Sequence, residues 1–160
     1  MISNQNQVYV VNVREETLKN PYYRRVIDTS PHQQLVLMSL KPKEDIKFEI
    51  HPDNDQHIRI EKGTAIALTG KNKDTKNVLT EGMCIVIPAG TWHQIINSSN
   101  TDYLKLYTIY SPADHPPGEI DVRRPQSGGS GSKTGDFKNK YYKYKYKYFK
   151  LRSSVPRELN

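Results

Sequence analysis

The chain has 160 residues, which is enough for one domain with its own hydrophobic core. Segment 136–160 carries eight basic residues against two acidic ones, which is +6 of the formal net charge of +7, so the preceding part of the chain is nearly neutral. This distribution excludes a uniformly basic nucleic-acid-binding surface. The chain also lacks an apolar run of the ~18 residues that a membrane helix needs. Its first residues do not follow the pattern of a signal peptide, so we expect a cytoplasmic protein without membrane contact.

Short apolar and β-branched runs, separated by turn residues, predict an all-β fold. After polar residues 1–7, expected to be disordered, a first strand is predicted at 8–13 and a short helical turn within 14–23. Further strands are predicted at 33–40, 46–51, 56–61, 64–69, 76–80, 84–87, 92–97 and 103–110. The single cysteine, Cys84, falls in one of these runs and is expected to be buried. Many short strands without a long amphipathic helix predict a sandwich or a barrel of six to eight strands.

The composition changes after the last predicted strand. We place the barrel at 8–122, a flexible Gly/Ser-rich linker at 123–135 and a basic Lys/Tyr-rich tail at 136–160. Tyrosine and lysine alternate strictly from 142 to 148, so an extended tail would carry its rings on one face and its charges on the other. Three interpretations stay open: a solvated extension, an added or exchanged strand at a sheet edge, and a contact with polyanions or nucleic acid.

Four polar side chains can converge inside such a barrel. Glu49 and His51 are two residues apart in an extended run, so they point to the same face. Gln56 follows the next turn, and His93 shares one face of a later strand with Asn97. Two imidazoles, one carboxylate and one amide oxygen suit a borderline divalent metal, and the set resembles the two-histidine-one-carboxylate arrangement with open positions.

The spacing around His93 resembles the second sequence motif of the cupins. That motif runs glycine, five residues, Pro-x-Gly, two residues, histidine, three residues and asparagine. The matching positions here are Gly82, Pro88, Gly90, His93 and Asn97, so the motif is complete. The two glycines suit a tight hairpin and the turn before the strand that carries His93.

The first cupin motif is matched with substitutions. It usually reads glycine, five residues, His-x-His, three or four residues, glutamate, six residues and glycine. The matching positions here are Lys43, Glu49, His51, Gln56 and Gly63. Glu49 stands at the usual place of the first histidine and Gln56 at that of the glutamate, so the set keeps one carboxylate at an exchanged position. The pattern resembles a subgroup of short stand-alone cupins whose motif runs Glu-x-His-Pro-x-x-x-Gln.

Resemblance to the cupins over about residues 8–122 implies an all-β double-stranded β-helix, that is, a jelly-roll barrel. The flexible C-terminal tail lies outside the resemblance and is an addition to it. The resemblance also implies one divalent transition metal (Fe, Mn, Zn, Ni or Cu) and a small-molecule ligand in the barrel. The implied metal ligands are Glu49, His51, Gln56 and His93. Two functions stay open. The first is a small metalloenzyme of dioxygenase or isomerase type, and the second is a non-catalytic ligand-binding or structural module whose basic tail contacts a partner.

The other histidines and several aromatic residues are predicted to have other roles. His57 is expected on the outer face by strand alternation, and Trp92 is expected to pack away from His93. His32 and His115 lie in proline-flanked loops and are not expected to be ligands, although His115 could cover the barrel mouth. Either Tyr107 or Tyr110 could line the pocket. Cupins commonly dimerise through β-strands, so a homodimer is also considered.

Overall fold

The computed structural model describes residues 8–125. The predictions for residues 1–7, for the tail and for most of the linker therefore lie outside the described residues. The described part holds one short helix and ten strands. These are α1 (Val13–Lys19), β1 (Arg24–Thr29), β2 (Gln34–Leu40), β3 (Asp45–Glu49), β4 (Asp55–Lys62), β5 (Thr64–Thr69), β6 (Thr75–Thr80), β7 (Cys84–Ile87), β8 (His93–Asn97), β9 (Leu104–Ser111) and β10 (Ile120–Asp121). Within residues 8–125, no helix is long and apolar enough to cross a membrane.

The strands form two antiparallel sheets with one core. The larger sheet has the order β10-β1-β2-β9-β4-β7, and the smaller one has the order β3-β8-β5-β6. Val36 and Leu106 from the larger sheet belong to the same buried cluster as Ala67 and Ile95 from the smaller one. This architecture confirms the predicted all-β jelly-roll barrel.

The interior faces of β4 and β8, which carry Gln56 and His93, follow the period-two alternation of a strand. Gln56, Ile58 and Ile60 on β4 are fully buried, and so are His93 and Asn97 on β8. The alternation therefore directs Gln56 and His93 into the interior, as the sequence predicts.

The predicted strand at 8–13 is wrong, although its residues have high β-propensity. The side chain of Asn12 accepts a hydrogen bond from the backbone N–H of Glu15 and caps α1, which begins at Val13. Val8 and Val10 are exposed and lie outside any strand within the described residues. An N-cap asparagine followed by acidic residues in the first turn favours a helix start here over continued extension.

Two strands, β1 and β10, were not predicted, and the prediction that Cys84 is buried is wrong. β1 pairs with both β2 and β10, but its charged residues Arg24, Arg25 and Asp28 conceal the apolar pattern of a strand. Cys84 is exposed on β7, which lies at the edge of the larger sheet opposite Arg59 of β4. Its side chain therefore shares a face with solvated groups and does not enter the core.

Gly63, the last glycine of the first motif, has a positive φ of 95° between β4 and β5. A Cβ at this position would lie 3.3 Å from the Tyr103 backbone oxygen, whereas one at Gly82 (φ 86°) would meet nothing within 4 Å. We therefore expect Gly63→Ala to lower the free energy of unfolding by about 2–3 kcal/mol and Gly82→Ala by only about 1 kcal/mol. Urea unfolding of both variants measures the difference. Equal losses would contradict a contribution from the backbone contact.

Candidate metal centre

Glu49, His51 and His93 are brought together by the end of β3 and the start of β8. Glu49 is the last residue of β3 and lies opposite His93, the first residue of β8. His51 was predicted to lie on the same strand as Glu49, but β3 ends at Glu49 and His51 lies in the loop that follows. The N–H of Gly90 donates a hydrogen bond of 2.8 Å to the His51 carbonyl oxygen. This bond ties the loop of His51 to the turn that precedes His93.

The three side chains can offer one ligand atom each within 4.8 Å of one another. Glu49 Oε1 is 3.2 Å from His51 Nε2 and 3.9 Å from His93 Nε2. Two ligands at ~2.1 Å from one ion are at most ~4.2 Å apart, so side-chain adjustments of a few tenths of an ångström would close the group on an ion. Both imidazoles present Nε2 to the same carboxylate.

The other ring nitrogen of each histidine lies against an oxygen. His93 Nδ1 donates to the Thr91 carbonyl oxygen at 2.9 Å, which assigns the lone pair to Nε2. His51 Nδ1 lies 3.5 Å from Asp114 Oδ1. In metal sites such contacts fix the tautomer and the ring orientation of the ligand. Both histidines therefore have the surroundings of Nε2 ligands.

The two imidazoles differ in electrostatic environment. Burial lowers the pKa of His51, but the carboxylates of Asp114 and Glu49 outweigh this effect and raise it to about 9. Burial lowers the pKa of His93, against the opposite effects of the Thr91 carbonyl and of Glu49. At neutral pH the metal-free site thus holds a protonated His51 between two carboxylates, beside a neutral His93.

Gln56 is linked to this group of three through Tyr110. Its Nε2 donates to Thr108 Oγ1 at 3.2 Å and to the Tyr110 hydroxyl oxygen at 3.0 Å. The Tyr110 ring packs edge-on against the His51 ring with centroids 5.4 Å apart. Gln56 Oε1 is buried and has no hydrogen-bond partner among residues 8–125. The assignment of Gln56 as a fourth ligand stays a prediction.

Two of the other expected roles agree with the side-chain contacts. The His57 ring stacks on Tyr107 with centroids 6.4 Å apart, away from the group of three. Trp92 stacks on Phe48 at 4.9 Å. Tyr110, which touches His51, is therefore the tyrosine that lines the site.

Two further residues lie near the site. Asp114 was not predicted to do so, and His115 was not expected to be a ligand. Both are buried, and His115 contacts Arg24 Nη1 through its ring nitrogens. Their segment, Ser111 to Gly118, reads as an exit loop because of its prolines. The feature of the sequence that could have indicated them is an aspartate next to a histidine shortly after the strand β9.

One observation in the structure itself, separate from the family resemblance, indicates that the three side chains fit a divalent transition metal. His93 is fully buried, and its Nε2 has no hydrogen-bond partner within the described part of the chain. A buried nitrogen lone pair without a partner is costly, and a metal ion bound by Nε2 would satisfy it. Two imidazoles and one carboxylate are ligands of Fe, Mn, Zn, Ni and Cu.

Comparisons with known proteins agree with this fold. The family model described as a cupin domain matches residues 36–110. An uncharacterized protein of Acanthamoeba polyphaga mimivirus, L612, is 99% identical over 160 residues and is matched over 100% of both chains. YrkC of Bacillus subtilis is 47% identical over 115 residues, which are 70% of this chain and 61% of YrkC.

Among solved structures, that of BH2720 from Bacillus halodurans superposes with a TM-score of 0.71 at 39% sequence identity. The match covers 74% of this chain and 92% of that one. A cupin-2 domain protein of Shewanella frigidimarina, at 24% identity and a TM-score of 0.50, shares the fold. The chain belongs to the cupin family.

Proposed function

We propose that this chain is a metal-binding cupin that holds one divalent transition metal and binds a small organic molecule beside it. Glu49, His51 and His93 would hold the ion, and Gln56 would add its Oε1 as a fourth ligand. The observation that carries the proposal is the buried Nε2 of His93, which faces Glu49 and His51 without a hydrogen-bond partner within residues 8–125. When bound, such an ion acts as a Lewis acid that polarises an oxygen of its small-molecule ligand.

The exposed fractions of the ligand side chains indicate the side of the site on which that molecule would bind. The Glu49 side chain is 33% exposed, whereas that of His93 is 0% exposed. A small molecule would therefore approach from the side of Glu49, while the histidines close the barrel side. Burial raises the pKa of the Tyr110 phenol well above its usual value, so this hydroxyl stays neutral beside His51. It would serve as a hydrogen-bonding group and not as an anion.

The first experiment is elemental analysis of the full-length protein, purified without chelator. We expect about one transition metal per chain, and the same stoichiometry after chelation and reloading with Co²⁺. Iron or copper would direct assays to oxygen uptake with small aromatic compounds or thiols, and zinc or manganese to isomerase or lyase reactions. A protein that is empty as purified and that also cannot be reloaded would overturn the proposal.

Metal binding should strengthen with pH. Because the pKa of His51 is raised to about 9 in the metal-free site, its proton must leave before Nε2 binds an ion. The lowered pKa of His93 means that this ring needs no deprotonation at neutral pH. We expect the affinity for Co²⁺ to rise about tenfold per pH unit from pH ~6.5 to pH ~9 and to level off above. Competition titrations against a chelator measure it, and a flat profile would contradict this proton count.

The homodimer and the contact of segment 136–160 with polyanions stay predictions from the sequence. The same holds for the choice between a metalloenzyme and a non-catalytic binding module. Turnover by the metal-loaded protein, absent after chelation and restored by reloading, would decide for the enzyme.

A further inference from the structure

A carboxylate outside the predicted ligand set lies behind His51. The Asp114 side chain is 2% exposed, and its Oδ1 is 3.5 Å from His51 Nδ1. The opposite ring nitrogen of His51, Nε2, faces Glu49 at 3.2 Å. Asp114 therefore lies on the side of the imidazole that points away from the candidate ion.

The loop that carries Asp114 is held by two buried amide side chains. Gln34 Oε1 accepts hydrogen bonds from the backbone N–H groups of Asp114 (3.3 Å) and His115 (2.9 Å), and its Nε2 donates to the His115 carbonyl oxygen at 2.7 Å. Asn54 Nδ2 donates to the carbonyl oxygens of Pro112 and Ala113. Gln34 is on β2, and Asn54 immediately precedes β4. The backbone around Asp114 is thus bonded to side chains from two separate parts of the barrel.

The other oxygen of Asp114 lies beside a second fixed group. Asp114 Oδ2 is 3.5 Å from His115 Nε2. The His115 ring is in turn contacted by Arg24 and packs edge-on against Tyr110 at 5.0 Å. Both carboxylate oxygens therefore face imidazole nitrogens, and the geometry defines the orientation of the Asp114 side chain.

We propose that Asp114 is the positioning residue for His51. It accepts a hydrogen bond from Nδ1–H, and this bond keeps the tautomer and the ring orientation that direct Nε2 to the metal. The inference rests on the proposed metal site. A carboxylate behind a ligating histidine orients the ring and makes the ligand more basic, and its loss typically costs about 10–100-fold in metal affinity. Thr91 performs the equivalent task for His93 with a backbone carbonyl.

The test compares Co²⁺ affinity in the full-length wild type, Asp114→Asn and Asp114→Leu. The asparagine keeps an oxygen that can accept from Nδ1–H, whereas leucine has the same number and branching of side-chain heavy atoms and no acceptor. Above pH ~9, where binding needs no proton loss from His51, we expect Asp114→Leu to bind Co²⁺ about 10–100-fold more weakly and Asp114→Asn to lose about tenfold or less. Asp53→Asn and Asp53→Leu are the matched controls, because Asp53 is an exposed carboxylate two residues from His51. They should stay within about threefold of the wild type.

A second measurement does not depend on folding of the leucine variant. Nitrogen-15 spectra of the zinc-loaded wild type should show His51 protonated at Nδ1 and metal-bound at Nε2. Metal bound at Nδ1, or a folded Asp114→Leu with wild-type affinity, would overturn the role of Asp114 while the metal site stands. A wild-type chain that binds no metal would overturn the proposed function itself. If Asp114→Leu does not fold, the spectra decide.

Discussion

His93→Ala is expected to reduce the metal content of the purified protein from about one ion per chain to less than about a tenth. His93 is a fully buried ligand candidate, and its Nε2 has no hydrogen-bond partner among residues 8–125. Removing His93 leaves an ion with one imidazole, one carboxylate and the Gln56 amide, and the loss should exceed the 10–100-fold cost of disturbing a residue behind a ligand. His51→Ala should act in the same direction. Elemental analysis and Co²⁺ titration measure both.

The matched control for these variants is His32→Ala. His32 is exposed in the loop between β1 and β2, so its removal changes the histidine count without touching the site. It should keep the full metal content. Circular dichroism must show that His93→Ala is folded, because truncating a buried ring also costs packing. Undiminished metal in a folded His93→Ala would place the ion elsewhere and contradict the site.

Asn97→Asp is expected to destabilise the domain by about 3–5 kcal/mol. The amide of Asn97 is fully buried, and its Nδ2 donates to the carbonyl oxygens of Leu40, Lys41 and Asp102 at 2.8–3.1 Å. Its Oδ1 accepts from the Ser99 N–H at 3.0 Å. An aspartate would place a carboxylate oxygen against three carbonyl oxygens, and even its protonated form donates only one hydrogen bond.

The measurement is urea unfolding followed by tryptophan fluorescence and circular dichroism. Asn77→Asp is the matched control, since Asn77 is exposed on β6 and the change is chemically identical. Its free energy of unfolding should stay within about 0.5 kcal/mol of the wild type. Because the introduced carboxyl at position 97 is more costly when ionised, the loss should grow as pH rises above ~4, the pKa of an aspartate in the unfolded chain. Equal unfolding midpoints for the two variants would contradict this role of Asn97.

Several features of the site could be predicted because they depend on neighbours in the chain. Alternate residues of a strand point to opposite faces, and this rule placed Gln56 and His93 in the interior. Positive φ angles at Gly82 and Gly90 agree with the turns expected of these glycines. Lys43, which stands at the place of the leading motif glycine, also has a positive φ of 61°. The turn is thus retained although its residue has changed.

Other features were decided by contacts between distant parts of the chain. β1 is a strand because β2 and β10 pair with it, which outweighs its charged composition. His51 lies in a loop, and a backbone bond from Gly90, 39 residues further along the chain, holds that loop. Cys84 is exposed because β7 is an edge strand, a property of sheet order that an apolar run does not reveal.

The sequence by itself determined the all-β class, since strand periodicity and turn residues are local properties. Its resemblance to the cupin motifs implied the jelly-roll barrel and the group of Glu49, His51 and His93. Only the tertiary structure placed Asp114 behind His51, 63 positions away, and Gln34 against His115, 81 positions away. Such contacts depend on which strands lie side by side. Strand order is set by burial and pairing over the whole barrel, so no short segment encodes it.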